Sequence, residues 1–238
     1  MRAYAAALLP SSCTLCGAGG DDTVCTPCRS QYFVRQPHNC VQCAMPIADL
    51  GLDDAPQRCG ACLDQAPAYD ATFAAVDYAA PVDQLVIALK FGSRLAMAPL
   101  FAKTMRDALL RTPTGKLPDV LLPIPLGAGR LQRRGYNQAL EIAKPLSKAL
   151  GIPLQARWLQ RSRDTHAQSS LHPDERKKNV RNAFALAPEH IDHLQDLHVG
   201  LIDDVMTTGE TLHEVAATLK AHGVARVTNF VFARTLLK

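Results

Sequence analysis

Val199-Gly200-Leu201-Ile202-Asp203-Asp204-Val205-Met206-Thr207-Thr208-Gly209-Glu210-Thr211-Leu212 is the stretch on which the fold turns. The apolar run from Leu197 to Ile202 predicts a buried strand ending in two adjacent carboxylates beside solvent. A short Thr-Thr-Gly loop follows, and Thr211 to Ala221 has the apolar spacing of a helix that Gly223 ends. In open α/β sheets, ligands sit at the carboxyl ends of strands, and the amides at the next helix N-terminus attract anions. Gly209 lets the backbone approach a phosphate, and Thr207, Thr208 and Thr211 add hydroxyl donors. Two carboxylates beside such a loop repel its ligand unless they accept hydrogen bonds from something, and ribose hydroxyls meet that need. A plain helix N-cap would explain neither the paired Asp203 and Asp204 nor the threonine run.

Outward from this stretch, strands alternate with helices. Arg226 to Ala233 reads as a final strand, and Ala183 to Ala187 and Trp158 to Arg161 as short ones. Asp119 to Pro125 is a strand bounded by prolines, and Tyr69 to Tyr78 a strand or strand pair. Helical spacing covers Val82 to Lys90 and Leu95 to Leu110. Asn137 to Leu150 is a third helix, capped by Asn137 and Gly151 and interrupted by Pro145. Leu126 to Gly135 reads as a glycine-containing basic loop. Arg161 to Asn182 is long, polar and basic, without an apolar stripe, which marks a lid, a binding loop or disorder. The alternation predicts an α/β domain with a mostly parallel central sheet flanked by helices.

The N-terminal part is different. All eight cysteines lie between positions 13 and 62, as four Cys-x-x-Cys pairs: Cys13/Cys16, Cys25/Cys28, Cys40/Cys43 and Cys59/Cys62. Each such turn aims two thiolates at one point, so four turns serve two tetrahedral zinc ions. Disulfides suit an exported chain, and nothing here directs export; the residues Met1 to Pro10 are expected to form a short helix packed on the fold. Iron–sulfur ligation and a dithiol pair fit the fourfold repetition less well. Sequential pairing leaves intervals of 8 and 15 residues within the two sites, while cross-braced and nested pairings stay open. Four-thiolate sites leave no position for water, so the metals are expected to be structural, giving about fifty residues a stability of their own. The expected division is a cysteine module over residues 1–65 and the α/β domain over residues 66–238.

Net charge is +4, distributed unevenly. Residues 1–62 hold four basic and five acidic groups, hence −1, which leaves +5 for the rest. Arginines and lysines cluster at 130–134 and 157–181, and such clusters suit an anionic partner, a phosphorylated metabolite or nucleic acid. No apolar run reaches the ~20 residues of a membrane span, so no membrane insertion and a cytoplasmic location are expected.

The strand, the two acids and the loop ending Gly209-Glu210-Thr211 resemble the phosphoribosyl pyrophosphate signature of type I phosphoribosyltransferases. Further segments occur in order: Leu89-Lys90-Phe91-Gly92, Pro123-Ile124-Pro125-Leu126, Arg134-Gly135-Tyr136-Asn137-Gln138, Arg163-x-Thr165-x-x-Gln168-x-x-Leu171, Arg176-x-x-Asn179-Val180-x-x-Ala183-Phe184 and Ala233-Arg234-Thr235. With the cysteine pairs, the whole chain resembles the ComF family of competence and GntX proteins, a phosphoribosyltransferase fold behind a double zinc ribbon. Tyr136 stands where many members have Phe.

The resemblance implies a phosphate loop of Thr207, Thr208, Gly209, Glu210 and Thr211, with Asp203 and Asp204 as catalytic acids. It implies a pyrophosphate loop using Gly127, Gly129, Arg130 and Arg134. A closing hood would carry Arg163, Thr165, Gln168 and Arg176, and Mg²⁺ would arrive with phosphoribosyl pyrophosphate. Lys90 reads equally as a pyrophosphate contact or as a lysine favoured by a helix C-terminus. His166 and His172 read as surface residues of the hood. The functional readings are a phosphoribosyltransferase with an unidentified acceptor, a ligand-sensing adaptor in DNA uptake, or a scaffold with a relic pocket. The adaptor would contact single-stranded DNA or competence proteins through its knuckles and hood. At 5% aromatics, stacking platforms for single strands are sparse, which counts against direct DNA binding.

Overall fold

The computed structural model describes residues 12–35, 38–48, 57–92, 94–111, 116–162 and 183–236. The hood residues Arg163, Thr165, His166, Gln168, His172 and Arg176, and the expected helix over Met1 to Pro10, lie outside them.

Four strands form one parallel sheet. They are β1 (Ala71–Asp77), β2 (Val120–Pro123), β5 (His198–Met206) and β6 (Arg226–Arg234), in the order β1-β6-β5-β2. Between β2 and β5 in sequence, β3 (Leu159–Arg161) and β4 (Phe184–Leu186) pair antiparallel, so the expected hood segment springs from a two-stranded base. The α-helices among the described residues of this part are α3 (Val82–Phe91), α4 (Met97–Arg111), α5 (Ala128–Arg134), α6 (Gln138–Leu150) and α7 (Glu210–Ala221). Pro99 is the third residue of α4, where the missing amide costs little. Pro145 lies inside α6, which Asn137 caps by accepting from the Ala139 amide and Gly151 ends in the left-handed conformation.

Two expectations need correction. β5 does not stop at Ile202: it continues through both aspartates to Met206. The reason is tertiary, because β6 runs beside it as far as Arg234, and the ladder pairs Asp203 with Val231 and Met206 with Arg234. The basic loop after β2 is mostly the helix α5, with Gly127 as its N-cap and Gly135 ending it at φ 81°. Its Leu, Gln and Arg residues favour helix, and the glycines that suggested a loop sit at or near its ends.

Each face of the sheet is covered by helix and by cysteine module. Among the described residues, the module contributes two short helices, α1 (Thr26–Tyr32) and α2 (Gly60–Asp64), each opening on a cysteine. On one side, α3, α4 and α6 pack with Cys13, Val24, Cys28 and Phe33 in a single apolar cluster. Phe232 of β6 stacks on Phe101 of α4 at 3.6 Å and meets the edge of Phe33 at 6.2 Å. On the other side, α7, β3 and β4 share a cluster with Cys40, Cys43, Ala44 and Cys62. The module also covers the free side of β1: the Thr72 amide donates to the Val41 carbonyl at 3.0 Å, and Arg35 pairs with Asp77 at 2.9 Å. The cysteine module therefore shares its core with the sheet, contrary to the expectation of a self-sufficient unit. Fifty residues bury too little surface alone, and here they borrow the sheet's.

Among the described residues, no helix is long and apolar enough to cross a membrane.

Candidate functional site

The site forms where β5 hands over to α7. Successive side chains of a strand leave opposite faces, yet the Asp203 and Asp204 carboxyls stay close enough to interact with each other and with Lys90. Asp204 is buried, at 2% exposure, and turns to the side of α3, where its carboxylate meets the Lys90 ammonium at 2.8 Å. The two aspartates thus do not lie at a strand end beside solvent. Asp203 is half-buried, and its Oδ1 accepts from the Asp204 amide at 2.8 Å. Burial and the neighbouring Asp204 charge push Asp203 up to about 8, against the pull of Lys90. Burial alone would lower Lys90, but the Asp204 and Asp203 carboxylates more than offset it and hold the ammonium above its usual range. Without ligand, Asp203 therefore keeps its proton at neutral pH, beside the ion pair of Asp204 and Lys90.

Gly209 joins the loop to α7 at φ 89°. A Cβ there would stand 2.7 Å from the Met206 Cε and 2.9 Å from the Tyr69 hydroxyl, so glycine is required by both dihedral and space. Glu210 is the first residue of α7 and Thr211 the second, which places their amides in its first turn, facing the loop. Thr207 and Thr208 are half-buried at the mouth.

The residues expected to hold pyrophosphate divide. Arg134 comes to the site: its guanidinium lies 5.3 Å over the Phe91 ring, next to Lys90, and it bonds Gln138. Tyr136 fastens the same corner by donating to the Leu89 carbonyl, and Asn137 donates to the Ile124 carbonyl at 3.0 Å. Gly127, Gly129 and Arg130 sit in the first turn of α5 and its cap, after the carboxyl end of β2. Lys90 is the last-turn lysine of α3, as the dipole reading had it, but its ammonium is spent on Asp204.

Behind the loop stand two residues the sequence reading gave no role. Arg234 is buried and donates to the Met206 and Thr207 carbonyls. Tyr69 is buried against Gly209, and burial raises its phenol well above the usual range. A hint was available for Arg234: a charged residue closing a run of apolar ones in a strand flanked by covered neighbours.

The cysteines fall into two tetrads, Cys13/Cys16/Cys25/Cys28 and Cys40/Cys43/Cys59/Cys62, with sulfurs within 4.8 Å of one another in each. Pairing is thus sequential. The donor chemistry fits zinc. Backbone amides point at sulfur, Cys25 to Cys13 at 3.4 Å and Cys43 to Cys40 at 3.5 Å. The Cys43 thiol and other contacts bring Cys40 down to about 4, while burial drives Cys62 up to about 12. In the first tetrad, burial likewise drives Cys28 up to about 12, whereas amide donors outweigh burial at Cys13 and bring it to about 6. Crowded sulfurs that hold one thiolate and resist the next are what a dication relieves.

Comparison with known proteins agrees with this anatomy. Residues 4–63 match the double zinc ribbon domain, and residues 136–236 match the phosphoribosyl transferase domain. The DNA utilization protein YhgH of Salmonella typhimurium is 35% identical over 235 residues, spanning 96% of this chain and 99% of that protein. Competence protein F of Haemophilus influenzae is 33% identical over 222 residues, spanning 88% and 96%. The chain belongs to the ComF family. Competence protein ComFC of Bacillus subtilis matches a shorter part, 31% identical over 121 residues, or 49% of this chain and 45% of that one. Among solved structures, a purine phosphoribosyltransferase from Pyrococcus horikoshii overlays 70% of this ComF-family chain and 89% of its own, at 19% identity and a TM-score of 0.31. That overlay is too loose to bear on the site.

Proposed function

We propose that this ComF-family protein binds phosphoribosyl pyrophosphate with Mg²⁺ at the β5–α7 site and belongs to the machinery of DNA uptake or use. The observation that carries the reading is the convergence of Asp203, Asp204, Lys90 and Arg134 beside a helix N-terminus opened by a left-handed glycine. Amides and hydroxyls of Thr207 to Thr211 take the 5-phosphate. Asp203 and Asp204 accept from the ribose hydroxyls, so ligand binding draws the proton off Asp203 and loosens Lys90 from Asp204. Lys90 and Arg134, with Arg130 and the amides at Gly127 and Gly129, then face the pyrophosphate. When bound, Mg²⁺ supplies charge stabilisation to the departing pyrophosphate, and the two aspartates are the hard oxygen donors suited to it. Arg163, Thr165, Gln168 and Arg176 of the hood would complete the enclosure. Two structural zinc ions occupy the tetrads. The link to DNA rests on the names of the relatives, a DNA utilization protein and a competence protein.

Isothermal titration with phosphoribosyl pyrophosphate and Mg²⁺, followed by a pyrophosphate-release screen over nucleobases, tests the reading. Saturable binding that Asp203→Asn with Asp204→Asn abolishes is expected. Release with one base makes the protein a transferase, and binding without release makes it a ligand sensor. Absence of binding refutes the proposal.

A further inference from the structure

Ala233-Arg234-Thr235 closes β6 and takes no part in the ligand site, yet Arg234 is only 2% exposed. Its guanidinium reaches carbonyls from three places. Nε donates to Cys43 at 2.9 Å, and Nη1 donates to Met206 at 3.1 Å, to Thr235 at 2.7 Å and to Thr207. The Thr235 amide adds a bond to the Met206 carbonyl at 3.0 Å. One end of this arrangement is the second cysteine tetrad, and the other is the backbone that begins the phosphate loop. Tyr69 runs alongside, packed in one cluster with Cys43 and Cys62 while its hydroxyl abuts Gly209. The linker after the tetrad is tied to α7 as well, because the Ala68 amide donates to His213 Nδ1 at 3.0 Å.

Geometry decides what this arrangement is for. The carbonyl that Nε holds belongs to Cys43, a member of the second tetrad, and the same guanidinium holds the Met206 and Thr207 carbonyls at the start of the loop. Metal in the second tetrad would fix the Cys43 knuckle, and with it the anchor of the Arg234 fork. Metal loss would free that knuckle and leave the fork without its fixed end. The first tetrad is placed differently: Cys13 and Cys28 pack among Phe33, Phe101 and Phe232. Among the described residues, no hydrogen bond is seen from the first tetrad to the loop.

We propose that Arg234 is a positioning residue that makes the conformation of the phosphate loop depend on metal in the second tetrad, and not on metal in the first. The ligand-linked half of this inference rests on the loop binding phosphoribosyl pyrophosphate. Coupling is reciprocal, so ligand at the loop must slow metal loss from the second tetrad. The wild-type zinc-loaded protein is treated with a zinc-selective chelator and N-ethylmaleimide, with and without phosphoribosyl pyrophosphate and Mg²⁺. Peptide mass spectrometry then reads each cysteine. Alkylation of Cys40, Cys43, Cys59 and Cys62 should slow at least about fivefold with ligand, a typical coupling, while the other four cysteines keep their rates. Arg234→Lys, which keeps the charge but not the fork, should erase that difference. Equal protection of both tetrads, or protection of neither when calorimetry shows binding, overturns the proposal. Should calorimetry show no binding, a ligand-free measurement decides. Hydrogen exchange at Val205 to Thr211 should quicken in Cys59→Ser relative to wild type, and unchanged exchange overturns the coupling whatever the ligand is.

Discussion

Replacing Asp203 by Asn should stabilise the ligand-free protein while abolishing its ligand binding. The carboxyl is held at about 8, against an ordinary value of 3.8, by burial and by the charge on Asp204. Between those two values the folded chain keeps a proton that the unfolded chain has lost. The proton difference between unfolded and native states is then negative, so stability falls as pH rises, by up to about 1.4 kcal/mol per pH unit. The loss begins near pH 4 and levels off above pH 8. At pH 7 it amounts to on the order of 4 kcal/mol. An amide cannot ionise and has nearly the same shape, so the variant escapes the whole loss. The gain over wild type should be near zero at pH 4, grow through neutrality and saturate above pH 8. A chain of this size converts each kcal/mol into roughly 2–4 °C of melting temperature, so the shift at pH 7 is roughly 10 °C. Thermal or urea melts of both proteins from pH 4.5 to 9 check it. A stability difference that is flat with pH, or that favours wild type at pH 8, refutes the reasoning.

Asp204→Asn should act in the opposite direction, costing about 2–3 kcal/mol in urea melts at pH 7, because it strands a partly buried Lys90 ammonium; Asp203, relieved of its neighbour, then ionises at lower pH. Gly209→Ala should weaken phosphoribosyl pyrophosphate binding at least tenfold by titration and cost about 2 kcal/mol, since the new methyl meets Met206 and Tyr69 at a left-handed φ. Metal analysis should give two zinc equivalents per chain. Chelation should lower the melting transition of the whole chain, because Cys28 and Cys43 lie in clusters shared with the sheet; an untouched main transition would show two separate units. Phe232→Ala should cost about 3–5 kcal/mol in denaturant melts, as it empties the contact among Phe33, Phe101 and β6.

What could be read from the chain in advance was local in sequence. The cysteine spacing announced four knuckles because each metal-binding turn is complete within four residues. The Asp203 to Thr211 run announced its strand, loop and helix because the chemistry is contiguous. The reading failed where distant partners decide. β5 outruns its apolar residues because β6 supplies a ladder, and nothing between Ile202 and Met206 says so. Lys90 was ambiguous because its partner lies more than a hundred positions away. Arg234 is opaque in the sequence, since its partners come from three separated stretches. The cysteine module looked self-contained because metal alone can fold such a module, and sequence does not reveal that Phe33 inserts beside Phe232.

The position of β6 constrains the order in which the fold can be completed. It lies between β1 and β5 yet follows both in sequence. As the chain leaves the ribosome, β1 and β5 emerge with no strand to join them, and the side of β6 that would carry Phe232 and Arg234 does not yet exist. The knuckles, made first, must wait with their apolar surface and eight thiols exposed, and early metal capture would keep those thiols from cross-linking. Contacts spanning most of the chain also make the final step slow, and the waiting intermediate has unpaired strand edges. A ComF-family nascent chain therefore has most to gain from chaperone contact after its cysteines have emerged and before its Ala233-Arg234-Thr235 segment has.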